Sequence, residues 1–161
     1  SGLAVDLCGI MAAAVLGQAG AVAYVEVTAD DAPLALQAEE ADLLLVPRAW
    51  RFSQEVDEGV MLVEPLLLQQ PGEVVFGPTV RQGDDAWFTA VRWTLAALRR
   101  KPDSLPEEAR QKAVSGLGFS ATWDRNIRAI SDGYEEMLER HTKALQGQGW
   151  SVLPAARGAA F

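Results

Sequence analysis

The sequence predicts an α/β fold, and three observations point to it. Residues 21–28, AVAYVEVT, alternate and are rich in Val, the pattern of a strand. Residues 41–46, ADLLLV, form a continuous apolar run bounded by charge and by Pro47, which suits a strand buried on both faces of a parallel sheet. Between them, Thr28, Asp30 and Asp31 followed by Pro33 read as a helix start. Strand, helix and strand at this spacing make a βαβ unit. The chain has 161 residues, 49% of them hydrophobic, enough for one domain with a substantial core.

The elements follow in order. The longest apolar run, LCGIMAAAVLG over 7–17, is well short of the ~20 residues of a membrane span. No basic segment precedes it, so a buried helix is expected and not a signal peptide. Asp6 charges the start of that helix, and Gly17 and Gly20 stop it. The helix at Pro33 ends around Glu40. Ser53 opens another short helix that ends at Gly59, and 60–63 is a short strand. Residues 64–77 hold Pro65, Pro71 and Gly72 and read as a connection, with extended pieces at 66–68 and 74–76 and a further one near 79–81.

Asp84 opens the clearest helix. Trp87, Phe88, Val91, Leu95 and Leu98 recur at three- and four-residue steps, so Trp87, Val91 and Leu95 are expected to be buried on the sheet. Pro102 ends it. A short polar helix follows over 106–114. Thr122 caps one long helix with Trp123, Ile127, Ile130, Tyr134, Met137 and Leu138 on one side, and 147–161 is a tail.

Charge and composition exclude several functions. Asp and Glu number 22 against 14 Lys and Arg, a net charge of −8, which argues against nucleic acid and anionic lipid as partners. One Cys and one His leave no disulfide framework and no Cys/His zinc cluster, so neither metal nor cofactor is expected. No G-x-S-x-G, Walker A or G-x-G-x-x-G pattern occurs, and no enzyme is expected. His141 reads as a solvated surface residue and Cys8 as a small core residue. Asp84 and Asp85 read as a cap and a dipole partner, not an acid/base pair.

The stretch PRAWRFSQE, 47–55, follows the apolar strand and precedes a helix. Open α/β sheets bind ligands at the carboxyl ends of their strands. Arg48, Trp50, Arg51 and Ser53 offer charge, a stacking face and a hydroxyl there. The alternative is that both Arg are solvated and Trp50 is core. The residues themselves leave the two readings level.

The order of segments resembles a known family. VRQGDDAWFTAVRWTLAAL, 80–98, closely resembles a signature of periplasmic general L-amino-acid-binding proteins, which serve ABC importers of polar amino acids. SGLAVDLCGIMAAAVLG (1–17) looks like the family's first helix. LALQAEEADLLL (34–45) looks like its second helix and following strand, and GFSATWDRNIRAISDGYEEMLERH (118–141) like its late helix pair.

That resemblance implies a three-layer α/β/α lobe. Family members have two lobes that close on the amino acid, the second inserted into the first. Here 1–63 and 78–161 match the two halves of lobe one, and 64–77 stands in place of lobe two; the family's opening strand is also absent. Before its third helix the family reads roughly N-T-T-W-T-x-S-R-D. Trp50 and Ser53 match, whereas the position of the Arg that would hold the ligand α-carboxylate is Gln54. The implied ligand site is therefore Arg48, Trp50, Arg51, Ser53 and Gln54, clustered at one end of the sheet. The implied function is a truncated solute-binding domain of an amino-acid ABC transport system, periplasmic, with permease subunits as partners and with weak or lost amino-acid binding. The other reading is a non-catalytic, self-associating or protein-interaction module with no small ligand. An uncovered sheet edge implies a homodimer, with 66–76 as a strand able to fill the gap.

Overall fold

The computed structural model describes residues 2–69, 74–100 and 105–153. These fall into two compact units, 2–23 with 89–143 and 24–88 with 144–153. Their chemistry differs. Among the described residues the first carries nine Lys and Arg against eight Asp and Glu, and the second three Arg against twelve carboxylates.

The first unit is helical. α1 (Leu3–Leu16) buries Leu3, Leu7, Ile10 and the small run Met11 to Ala14, and ends at Gly17, whose φ of 79° is the left-handed conformation that favours glycine. It packs on α6 (Trp123–Ile130), and the Asn126 amide donates to the Ala13 carbonyl (3.3 Å), meeting one acceptor near the helix end. α4 (Asp85–Arg99) buries Val91, Thr94, Leu95 and Leu98 as its periodicity predicts. α5 (Glu107–Leu117) turns Ala109 and Ala113 inward. Trp123 is 1% exposed, edge-on to Phe119 at 5.0 Å, and its indole N–H donates to the Arg110 carbonyl. α7 (Tyr134–Gly147) buries Tyr134, Met137 and Leu138, with the Arg99 guanidinium 4.5 Å over the Tyr134 ring.

The second unit holds two small antiparallel sheets. β1 (Arg48–Ala49), β4 (Val74–Phe76), β3 (Leu67–Gln69) and β6 (Trp150–Val152) form one, in that order. β2 (Val60–Leu62) and β5 (Thr79–Arg81) form the other, in register Met61 opposite Val80. α2 (Ala32–Gln37) and α3 (Phe52–Glu58) complete the unit. Ala32, Leu36, Leu44 and Val60 form one core cluster, with Val27, Ala41, Val46 and Trp50 against them, and Leu66, Leu67, Phe76, Val80 and Trp150 are buried as well.

The α/β class stands, and the strands near 60–63, 66–68, 74–76 and 79–81 are found. Several expectations are corrected. Residues 21–28 form no strand: Tyr24 and Val25 are exposed, and no neighbouring segment supplies a ladder. Residues 41–46 make one antiparallel bridge, Leu44 to Thr79, through both backbone bonds (2.9 and 3.0 Å). The parallel βαβ unit is therefore not formed, because alternation sets which side chains face a core but cannot provide a hydrogen-bonding partner. Residues 67–69 and 74–76 pair with each other and with β1 and β6 instead of filling a gap beside 21–28 or 41–46.

Trp87 is half-buried, not buried, although Val91 and Leu95 are fully covered. It lies at the start of α4, where its indole N–H reaches the Asp42 carbonyl (2.7 Å) and its backbone N–H the Asp84 carboxylate (3.3 Å). The long helix from Thr122 is two helices. Ser131 hydrogen-bonds Gly133 in both directions, and the Gly133 φ of 131° breaks the run. Part of the expected tail is β6; residues 154–161 of that tail lie outside the described ones. His141 is not solvated: its Nε2 lies 2.8 Å from the Asp6 carboxylate, with Arg140 at 3.6 Å.

Candidate functional site

Of the five predicted site residues, Arg48, Trp50 and Arg51 lie between Pro47 and α3, and Ser53 and Gln54 lie on the first turn of α3. β1 lies at the edge of its sheet, with Arg48 opposite Val75 and Ala49 opposite Val74. That pairing fixes Arg48 in the half-buried layer. Its Nη2 meets both oxygens of Glu58, at 2.9 and 3.0 Å, across α3. The Arg48 side chain is 10% exposed and that of Glu58 28%. The Nε and Nη1 groups of Arg48 are out of solvent and have no hydrogen-bond partner. A buried guanidinium donor left unmet is costly, so this is the most demanding polar group of the turn.

Trp50 goes to the core cluster, which favours its packing role over a stacking face open to ligand. Arg51 precedes α3 with an extended backbone and an exposed side chain. Its N–H donates to the Gln54 side-chain oxygen (2.7 Å), and the Gln54 N–H returns to the Arg51 carbonyl (3.0 Å). Gln54 thus supplies one half of a capping box, an ordinary structural use of a polar residue at the third helical position. Ser53 is exposed on the first turn of α3. The helix ends at Gly59, with a φ of 63°, and the Gln37 amide donates to the Glu58 carbonyl beside it.

Sequence reasoning did not single out Phe52 and Val56. They are 85% and 78% exposed, four residues apart on one face of α3, a helix with no buried residue. Together they make an exposed apolar pair on an otherwise polar helix. The signal available in sequence was their spacing within an otherwise polar seven-residue segment.

Elsewhere, two concavities lie in the first unit. One, bounded by Leu98, Leu105 and Ile127, holds about 50 Å³, room for water only. The other, an open groove between α5 and α6, is edged by Arg110, Arg125 and Arg128 around Asp124. No group of three or more His, Cys, Asp and Glu able to hold a metal occurs among the described residues.

The fold is that of a periplasmic binding protein. A solved ABC-transporter periplasmic binding protein from Brucella ovis, with glutathione bound, superposes with a TM-score of 0.70 over 88% of this chain and 80% of its own, at 18% identity. The sequence narrows the comparison: the chain is similar to binding proteins of amino-acid ABC transporters. It is 32% identical over 123 residues to the general L-amino acid-binding periplasmic protein AapJ of Rhizobium johnstonii, covering 63% of this chain and 33% of that protein. It is 40% identical over 137 residues to YhdW of Escherichia coli K12, a putative amino-acid ABC transporter-binding protein, covering 70% and 39%. The chain thus spans a third to two fifths of the length of these relatives. No protein-family model matches it.

Proposed function

We propose that this chain is a solute-binding domain of a periplasmic amino-acid ABC transport system, that it corresponds to one lobe of its relatives, and that it presents a polar amino acid to permease subunits. The observation that carries this reading is the 32–40% identity to amino-acid-binding relatives over most of the chain. The loop 48–54 is the ligand site of the proposal, with Arg48, Arg51 and Ser53 as polar contacts, Trp50 as its packed floor and Gln54 as its helix cap. Binding is weak, because the position of the family's carboxylate-holding Arg is Gln54, whose oxygen is occupied by the Arg51 N–H. Titration calorimetry against a panel of L-amino acids tests this. Heat with a micromolar-to-millimolar Kd for any polar amino acid supports it, and silence across the panel overturns it.

One observation favours self-association as a second reading. Leu44 spends its N–H and C=O on Thr79, so those of Leu43 and Leu45 face the opposite edge. That edge has no partner among the described residues, and it is apolar. Open apolar edges invite another strand. A homodimer formed there brings together two units that each carry nine excess carboxylates among the described residues. Its dimer fraction should therefore rise between 50 and 500 mM salt, as repulsion is screened. Sedimentation showing only a ~17 kDa species at tens of micromolar chain and high salt rules it out.

A further inference from the structure

The geometry points to the groove between α5 and α6 as a binding site for a hydroxylated phosphate monoester, of which a sugar phosphate is the simplest case. It lies apart in sequence from the loop 48–54 and does not rest on the amino-acid reading. The groove offers about 440 Å³, within the ~300–1,000 Å³ of small-ligand sites. In a chain of net charge −8 it gathers three arginines, Arg110 from α5 and Arg125 and Arg128 from α6. The three are not equivalent. Arg110 is engaged by the chain: its Nη2 donates to the Leu105 carbonyl (3.2 Å), its Nη1 to Glu107 (3.4 Å), and its Nε lies 3.3 Å from the Asp124 carboxylate. It joins the two helices and offsets the charge of Asp124. Arg125 is exposed, with no ion pair or hydrogen bond among the described residues. Arg128 reaches Asp124 only at 4.0 Å. Two guanidinium groups therefore edge the groove with their donors largely uncommitted.

Arg125 and Arg128 stand three residues apart on one helix, where Cβ atoms are ~5–6 Å from each other. A carboxylate has two oxygens and one charge, and it meets one guanidinium fork. A phosphate monoester carries about two negative charges at neutral pH and three free oxygens, enough for both forks. The α5 wall selects the rest of the ligand. Glu107 receives only long contacts there, from Arg110 and from the Gln111 amide (both 3.4 Å). The Gln111 side-chain oxygen has no partner among the described residues. Both are acceptors, so they call for donors on the ligand, and hydroxyl groups supply them. A second anionic group on that side would be repelled by Glu107. Val114, half-buried, and Ala121 complete the lining and suit the C–H face of a sugar ring.

Calorimetry on the full chain at about 50 mM salt, where screening is modest, tests this with glucose 6-phosphate as the probe. Glucose, glucuronate and inorganic phosphate are the comparisons. Glucose 6-phosphate should bind at least tenfold more tightly than glucose or glucuronate, and several-fold more tightly than inorganic phosphate. Arg125→Gln and Arg128→Gln, each checked for folding by circular dichroism, should each weaken it tenfold or more. Gln111→Leu should narrow its advantage over inorganic phosphate. Lys112→Gln removes one positive charge from α5 outside the groove lining and should leave the affinity within twofold. Silence toward glucose 6-phosphate, equal binding of glucuronate, or wild-type affinity in a folded Arg125→Gln/Arg128→Gln double variant overturns the inference. So does a loss in Lys112→Gln as large as in the arginine variants, which would make the effect one of overall charge. Phosphatidylcholine vesicles containing phosphatidic acid present the same monoester on a membrane, and the chain should not sediment with them. Capture by these vesicles together with silence toward the soluble ester assigns the phosphate to lipid and overturns the inference. None of these outcomes bears on the loop 48–54, so the amino-acid reading stands or falls separately.

Discussion

The two units reach stability by different routes. The helical unit satisfies most of its backbone within helices and ties distant stretches of chain together with polar contacts: Asn126 on Ala13, Trp123 on Arg110, His141 on Asp6. Its charges nearly balance. The second unit is built on strands two or three residues long and small apolar clusters, and its described residues carry nine excess negative charges that repel one another. It leaves a strand edge open among the described residues. Helices satisfy their own hydrogen bonds, whereas strands need a neighbour. The unit that must find partners elsewhere is also the one that carries the candidate site.

The comparison breaks first on two tryptophans. Trp123→Ala should cost roughly 3–5 kcal/mol, a large deletion from a closed core, read as a fall in the denaturant midpoint. Trp87→Ala removes a half-buried ring and one hydrogen bond and should cost only about 1–2 kcal/mol. Equal losses would show that Trp87 is a core residue after all.

Between these lies the ion pair. Glu58→Ala leaves Arg48 buried without its counter-charge and should cost about 2 kcal/mol, below the ~3–5 of a fully buried pair because Glu58 keeps some contact with water. A loss under 0.5 kcal/mol, read by the same denaturation, would mean that Arg48 is hydrated.

Amide exchange sharpens the contrast inside one segment. Leu44 donates to Thr79 and should exchange more slowly than Leu43 and Leu45, by about tenfold. Uniform protection of all three would show that the open edge is already covered.

The smallest effect concerns Cys8 on α1, where burial holds the thiol above its ordinary pKa. The folded state favours the protonated form, so this contribution is present below the unfolded thiol's pKa and is lost as pH rises through the folded one. At pH 8, alkylation by iodoacetamide should therefore be several-fold slower in the folded chain than after unfolding. Equal rates would place Cys8 in open solvent.

The helices were legible in sequence because their signal is local. The three- and four-residue spacing of Val91, Leu95 and Leu98 is written in the segment that forms α4, and Gly17 and Gly59 mark real helix ends. The hairpin strands at 67–69 and 74–76 and the pair 60–62 with 79–81 were also readable, since each short apolar piece found an adjacent partner. At the candidate site, sequence marked the stretch 48–54 but not the division of labour within it. Arg48 turns to Glu58, Trp50 to the core and Gln54 to the cap, while Phe52 is left outside. Which way a side chain turns depends on what lies across from it.

The sequence by itself determined the α/β class, the relationship to amino-acid-binding periplasmic proteins, the helix periods and the acidic charge. All of these depend on residue type and spacing along the chain. Only the tertiary structure decided that 21–28 stays unpaired, that 41–46 forms a single bridge, that the strands run antiparallel, and that Arg48 is buried beside Glu58 with two donors unmet. The physical reason is that a strand's hydrogen bonds and a buried charge's partner come from residues distant in sequence, and local pattern carries no record of which of them will arrive.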